Sequence, residues 1–356
     1  MLECNSQTLS KAISRVAPAC DPKSPHEPYK AVHFDAPKAG LVRLIGSDGV
    51  VSVETTIEAG GKWSPFAMAA KDVASKVRGF PSEKVKLDAT KRGVKVSGDG
   101  TARVHTLPIF DVATIGQGAP KKSVATITAS ALQKALASIG FAIGQDSTAP
   151  GYGFRLAIIG GKARFEATNG HCLAIAEVSA TGAFEAVLPP RVVTVVRDTF
   201  EGDVSISVEG NHVAFASGAH CVSVLTAGAT FPPVSDLQKM LGSPKVWAEF
   251  DRDAAVSAVR ACELANSGVL LTVDGGEVRF SAEANGAESN DAIGADTNGN
   301  GQATLNAGYL VAALGSIDCP RARIEWSDSL KPITIRQPDG ADQWQQAMIA
   351  QMMGAK

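Results

Sequence analysis

Aromatic side chains make up only 6% of this 356-residue chain. A core short of large rings is filled by small and branched residues, which points toward strands and tight turns. No stretch approaches the ~20 unbroken apolar residues that a membrane-crossing helix needs, so such a helix is excluded. Net charge of one sign is also missing: 34 Lys and Arg stand against 36 Asp and Glu, for −2 overall. That excludes a uniformly basic coat for nucleic acid. The six cysteines, at 4, 20, 172, 221, 262 and 319, form no C-x-x-C pair. Their wide spacing fits neither a disulfide framework nor a zinc site, and they read as structural thiols. The signatures G-x-x-x-x-G-K-[ST], G-x-G-x-x-G after a strand, H-E-x-x-H and G-x-S-x-G are all absent. The N-terminus MLECNSQTLSKAISRV is polar and periodic, without an apolar signal core, so a cytosolic protein with no cofactor or metal is expected.

What the chain has is glycine, 35 residues of it, and a pattern that recurs at a period of about 120 residues. Each unit opens with a short amphipathic helix, at 6–16, 128–140 and 251–265. Leu9, Ile13 and Val16 share one face by spacing, as do Leu132, Leu136 and Ile139. Ser, Thr or Asp stands at each start as a candidate cap. Alternating strands follow at 40–58, 154–178 and 268–284, with tight turns at Asp48-Gly49, Gly160-Gly161 and Asp274-Gly275. Second helices are expected at 67–80, 189–200 and 306–317, and further strands at 83–108, 202–227 and 321–339. The unit is therefore α+β, and the chain divides into 1–124, 125–243 and 244–356. The polar stretch 284–302 breaks the third unit and reads as a flexible loop beside an edge strand.

Charge is uneven along these thirds. Residues 1–124 hold 18 Lys and Arg against 12 Asp and Glu, or +6; residues 125–243 hold 7 against 9, or −2; residues 244–356 hold 9 against 15, or −6. Such a dipole speaks to partners rather than to fold.

Catalytic chemistry is thin. His220 and Cys221 are neighbours on a strand, so their side chains diverge. Asp291, Asp296 and Asn298 offer oxygen ligands for a cation but no calcium-loop spacing. Two features stand out. ATNGHCLAIAEV (167–178) sets His171 and Cys172 beside a tight turn, which also admits a Cys/His hydrolase. QWQQAMIAQMMGAK (343–356) places Met348, Met352 and Met353 where tails are usually polar; it is either a methionine binding surface or a last core strand.

With these features in place, the chain resembles a known family, the bacterial sliding clamp (the β subunit of the replicative DNA polymerase). ATNGHCLA resembles that family's A-T-D-G-H-R-L-A turn. KVRGFP (76–81) looks like its first-domain helix end, and LTAGATFPPVSDL (225–237) like the strand and F-P-D-Y turn closing its second domain. LNAGYLVAALGSI with RARIEWSDSLKPITIRQPD (305–339) is similar to its third domain. The resemblance implies three repeated domains of the DNA-clamp type, each with two helices packed on antiparallel sheets, in a head-to-tail homodimeric ring. Duplex DNA would thread the hole without sequence readout, and the chain would be a non-catalytic processivity subunit. The replicative polymerase, clamp loader and repair proteins would dock by short linear motifs.

The family's peptide cleft carries over to Phe154, Thr168, Gly170, His171, Cys172, Leu173, Pro232, Leu237, Met348, Ile349, Ala350 and Met352. The DNA-facing candidates are Lys11, Arg15, Lys23, Lys71, Lys76, Arg78, Lys134, Tyr152, Arg191, Arg197, Arg252 and Arg260. Ala102, Val104, Cys262 and Leu264 are the candidates for the dimer interface, where +6 would meet −6. The chain departs from the family at Cys172 and Asp236, where arginines are usual, and in its tail, where a Met-Pro-Met-Arg-Leu ending reads Met348 to Met352. These departures admit a specialised second clamp for repair or translesion synthesis.

Overall fold

The computed structural model describes residues 1–352 except 114, 116, 117, 119, 121, 197, 198, 229, 240, 265–267, 329, 330 and 339–343. The helices are α1 (Ser6–Val16), α2 (Ala70–Val77), α3 (Ala129–Ile139), α4 (Arg191–Val196), α5 (Val234–Lys239), α6 (Arg252–Cys262) and α7 (Ala307–Ser316). The spacing argument places α1 and α3 well, and it holds for their buried faces. Leu9, Ile13, Val16, Leu132, Leu136 and Ile139 are all buried. Asp251 caps α6 as expected, its carboxylate accepting from Ala254 N. Helix α1 is capped instead by Asn5, which accepts from Gln7 N and Thr8 N, while the Ser6 hydroxyl donates to Ser82 O.

Strand order repeats. In each third, the first, sixth, seventh and eighth principal strands make one four-stranded antiparallel set. The fourth, third, second and fifth make another. In the first third these sets are Leu2–Asn5, Lys84–Thr90, Gly93–Gly98, His105–Leu107 and Val51–Glu58, Leu41–Ser47, Ala31–Asp35, Phe66–Ala69. Two joints then build larger sheets. Strand His220–Leu225, eighth of the middle third, pairs with Val51–Glu58. Strand Trp344–Ile349, eighth of the last third, pairs with Cys172–Ser179.

By contact density the chain forms two compact units, Met1–Ser130 with Arg191–Thr226 and Ala131–Pro190 with Ala227–Lys356. Each unit contains one of the two joints. The core of each is a layer of Val, Ile, Leu, Ala and Phe between helices and sheet, consistent with the low aromatic content.

One expectation is corrected. The segment 284–302 is not a loop. Ala287–Gly294 is a strand paired along its whole length with Glu277–Ala284, and Asp296–Asn298 pairs with Val246–Asp251. Both faces of Ala287–Gly294 are largely exposed, so no alternation marks it in the sequence. Asp296 is ion-paired with Arg321 at 2.5 Å, and no group of three or more metal-ligating side chains occurs among the described residues. The C-terminal methionine segment is, over Trp344–Ile349, an interior strand of the larger sheet of its unit. No helix among the described residues is long and apolar enough to cross a membrane.

His220 is a structural anchor. Arg15 Nη1 lies 2.8 Å from its Nε2 and donates to it, so the ring is neutral with its proton on Nδ1, directed to Thr55 Oγ1 at 3.2 Å. Burial, and then the Arg15 charge, lower its pKa below the usual 6.5. Burial likewise lowers His33 and His212. Histidines neutral in the fold but protonated in the unfolded chain favour the unfolded state as pH falls. Their contribution is complete above 6.5 and is lost as pH drops from 6.5 through the depressed folded values. Urea midpoints measured at pH 7.5 and pH 5 are expected to fall with acid, and His220→Gln is expected to reduce that fall.

Candidate functional site

The turn at 168–172 is built by its own side chains. Asn169 Oδ1 accepts from His171 N at 3.0 Å and Cys172 N at 2.9 Å, an Asx turn. Thr168 Oγ1 donates to Cys172 O at 2.8 Å and accepts from Gly170 N at 3.3 Å. Gly170 takes a φ of 86°, which explains why glycine stands there. Ala350 N donates to His171 O at 3.0 Å, tying the turn to the C-terminal strand. The His171 ring stacks on Tyr309 of α7, centroids 6.1 Å apart.

Strand alternation then sorts the candidate residues into two faces. Leu173 pairs with Met348, and both lie in an apolar cluster with Ile175 and Val234. Phe231, Leu237 and Leu241 pack against that cluster and remain half-buried, so α5 with its flanking residues forms one wall. Phe154, Cys172 and Ile349 face the other way, into the core. Cys172 pairs with Ile349, and Phe154 stacks on Phe165 at 6.4 Å. These three belong to the support of the site and not to its surface, a correction to the sequence assignment. Pro232 is half-buried ahead of α5, and Ala350 is exposed. Met352 is 42% exposed, with its N–H on Thr304 O at 2.8 Å. Ile175, Val234, Phe231 and Leu241 escaped the sequence reading. Ile175 was accessible through its i, i+2 relation to Leu173.

The rim is polar and closed on itself. Arg164 Nε donates to Glu166 Oε1 at 2.6 Å and Nη1 to Glu177 Oε1 at 2.8 Å. Gln238 of α5 donates to Gln346 Oε1 at 3.2 Å. Asp236 pairs with Lys239 at 2.8 Å.

The basic candidates divide as well. Arg15 pairs with Glu201 at 3.3 Å and Lys134 with Asp318 at 2.8 Å. Arg191 pairs with Asp48 and donates to Pro18 O and Cys20 O at 3.0 Å. Arg252 donates to Asp253 at 2.8 Å and to Ile317 O at 2.6 Å. Sequence treats these four as free charges, whereas the fold uses them internally. Lys11, Lys23, Lys71, Lys76, Arg78 and Arg260 are exposed, with no ion pair among the described residues. Tyr152 is half-buried beside Gly144, and Arg197 lies outside the described residues.

At the expected interface, Ala102 and Val104 are exposed, Val104 to 49%, just before the edge strand His105–Leu107. Cys262 is fully buried, with its Sγ on Phe280 O at 3.3 Å, so it presents nothing to a partner. Leu264 is half-buried.

Repeated four-stranded sets, joined edge to edge beneath paired helices, define the fold of the DNA sliding clamps. In particular, the chain is similar to the DNA polymerase III β subunit of Thermotoga maritima, at 16% identity over 100% of both chains and a TM-score of 0.90. It is also similar to the sliding clamp of Bacillus subtilis, at 17% identity, 99% of each chain and a TM-score of 0.88. A third likeness is to the Pseudomonas aeruginosa sliding clamp bound to griselimycin, at 19% identity, 99% of this chain, 98% of that one and a TM-score of 0.85. No family model and no curated protein sequence matches the chain. At these identities the likeness establishes the fold.

The geometry speaks against a Cys/His hydrolase. Cys172 is 2% exposed and on the face opposite the cluster, and burial pushes its thiol up to about 12, far from a reactive thiolate. In the folded protein at pH 8, iodoacetamide is expected to spare Cys172 and to alkylate the half-exposed Cys319 first. Peptide mapping by mass spectrometry reads this directly.

Proposed function

We propose that this chain is a DNA sliding clamp: two copies close head to tail around duplex DNA and hold replication and repair proteins on it, without catalysing a reaction. The observation that carries the reading is the full-length likeness to clamp structures. On this reading 1–124, 125–243 and 244–356 are three clamp domains.

The pattern of sheet edges supports closure. An unpaired strand edge is a template for another chain. Within the chain, eighth strands of the middle and last thirds each join a fourth strand. The eighth strand of the first third, His105–Leu107, and the fourth of the last, Ala287–Gly294, are left at the ends of their sheets. Joining these two between copies repeats the internal rule. It also brings the +6 third against the −6 third, which favours the heterologous contact over like-with-like pairing. A ring with two such junctions closes. The six exposed cations on or beside α1, α2 and α6 would meet phosphate without reading bases.

The cluster around Leu173, Ile175, Val234 and Met348 serves as floor and wall of the partner cleft. An inserted Leu or Phe gains roughly 1.5–3 kcal/mol on burial. Two such anchors, less ordering costs, give dissociation constants on the order of micromolar. That suits a platform shared by polymerase, loader and repair proteins. Asp236 puts an anion on the rim where the resembled family carries an arginine, which favours a shifted motif preference, as in a clamp specialised for repair.

Retention on DNA tests the ring. The protein loaded on nicked circular DNA is expected to stay through a high-salt wash and to be lost when the circle is cut; equal loss from both forms would sink the reading. Titration of a labelled Gln-x-x-Leu-Phe peptide tests the cleft. Micromolar binding is expected, weakened at least tenfold by Leu237→Asp.

A further inference from the structure

The two sheet joints share one framework. Before the strand Val51–Glu58, the turn Ser47-Asp48-Gly49 reproduces the geometry of Thr168-Asn169-Gly170. Asp48 Oδ1 accepts from Val50 N and Val51 N at 2.9 and 2.8 Å. Ser47 Oγ donates to Val51 O at 3.0 Å and accepts from Gly49 N at 3.1 Å. What differs is the pair facing across each joint. Leu173 opposite Met348 at one joint becomes Ser52 opposite Ser223 at the other.

A cavity of about 150 Å³ lies beside the Asp48-Gly49 turn, with Ser52 and Ser223 in its wall. Its walls mix two chemistries. Val50, Val224, Leu225 and Ile115 are apolar, whereas Tyr29, Ser52, Ser223 and His212 bring polar atoms. Gly49, with a φ of 92°, leaves room for the Tyr29 ring, from which a methyl at Gly49 would lie only 3.2 Å. Ser223 Oγ is already committed, donating to Gly118 O at 2.9 Å. His212 Nε2 is buried and has no hydrogen-bond partner among the described residues. A buried ring nitrogen without a partner is a cost the fold carries unless something in the cavity satisfies it. Burial lowers the His212 pKa, which keeps the ring neutral. A neutral ring can present an unprotonated Nε2 as an acceptor.

We propose that this cavity is a second docking pocket, which takes one phenol-tipped side chain, a tyrosine, from a partner peptide. The apolar walls hold the ring and its hydroxyl donates to His212 Nε2. The Glu54 and Glu209 charges, which act on His212, disfavour a carboxylate or phosphate in the same place. The pocket's chemistry stands on its own geometry. Only its use by a clamp partner rests on the function proposed above, and the apolar cluster takes no part in the test.

N-acetyl-tyrosinamide and N-acetyl-phenylalaninamide serve as probes, titrated into the methyl-labelled full chain and followed by NMR. The tyrosine probe is expected to give saturable shifts at Val50, Val224 and Leu225, and to bind roughly tenfold or more tightly than the phenylalanine probe, since a site built for a hydroxyl rejects its absence. Ser223→Leu, which fills the cavity, is expected to abolish those shifts while the methyl spectrum of the unit Ala131–Pro190 with Ala227–Lys356 is unchanged. Equal response to the two probes, or no response to either, as from a cavity that holds water only, overturns the proposal. Loss of peptide binding at the Leu173 cluster leaves it standing.

Discussion

The structure depends on the unpaired edge of a β-sheet. A terminal strand offers a row of free N–H and C=O groups, and the fold meets this demand twice by the same rule, joining an eighth strand to a fourth. Everything downstream follows from that rule. It makes two large sheets out of four-stranded sets. It brings residues more than a hundred positions apart, such as Leu173 and Met348, into register. It also leaves one eighth strand and one fourth strand at sheet ends, where the proposed ring would place its second copy.

The joints also show how one framework carries different chemistry. The Asx turn, the threonine or serine that backs it and the glycine at positive φ are the same at both. Function is varied only in the pair of side chains facing across the joint and in the connector laid over it. At the Leu173 joint the connector contributes α5 and packs apolar residues inward. At the Ser52 joint the connector is held through Gly118, whose N–H goes to Glu54 Oε1 at 3.0 Å and whose carbonyl accepts from Ser223.

Much of this was legible in the sequence. Helices with a clear apolar face, such as α1 and α3, follow from spacing alone. The hairpins with glycine turns follow from alternation. Ala287–Gly294 was not legible, because a strand exposed on both faces has no periodic signature. Helix α5 was missed because six residues after Pro232-Pro233 are too few to show a period. For the site, the turn motif and methionine tail led to Leu173, Leu237 and Met348, but motif matching cannot tell which face of a strand a residue occupies. Hence Phe154, Cys172 and Ile349 were placed at the surface and are core. Nor can sequence show that Arg15, Lys134, Arg191 and Arg252 are already engaged, since their partners lie 65 or more residues away in every case but the neighbouring Asp253.

The interior position of Trp344–Ile349 has an evolutionary consequence. Leu173 and Met348 are at once the floor of the proposed cleft and the cement of the sheet, so a substitution there costs stability before it changes affinity. Drift in partner choice is therefore channelled away from the floor and into the exposed positions of α5 and the rim. Asp236, exposed on α5 and paired with Lys239, sits where such drift meets least resistance. Two proteins of this fold can thus diverge at the exposed positions of α5 while keeping the same interior, and that helix is the part of the molecule that records the difference.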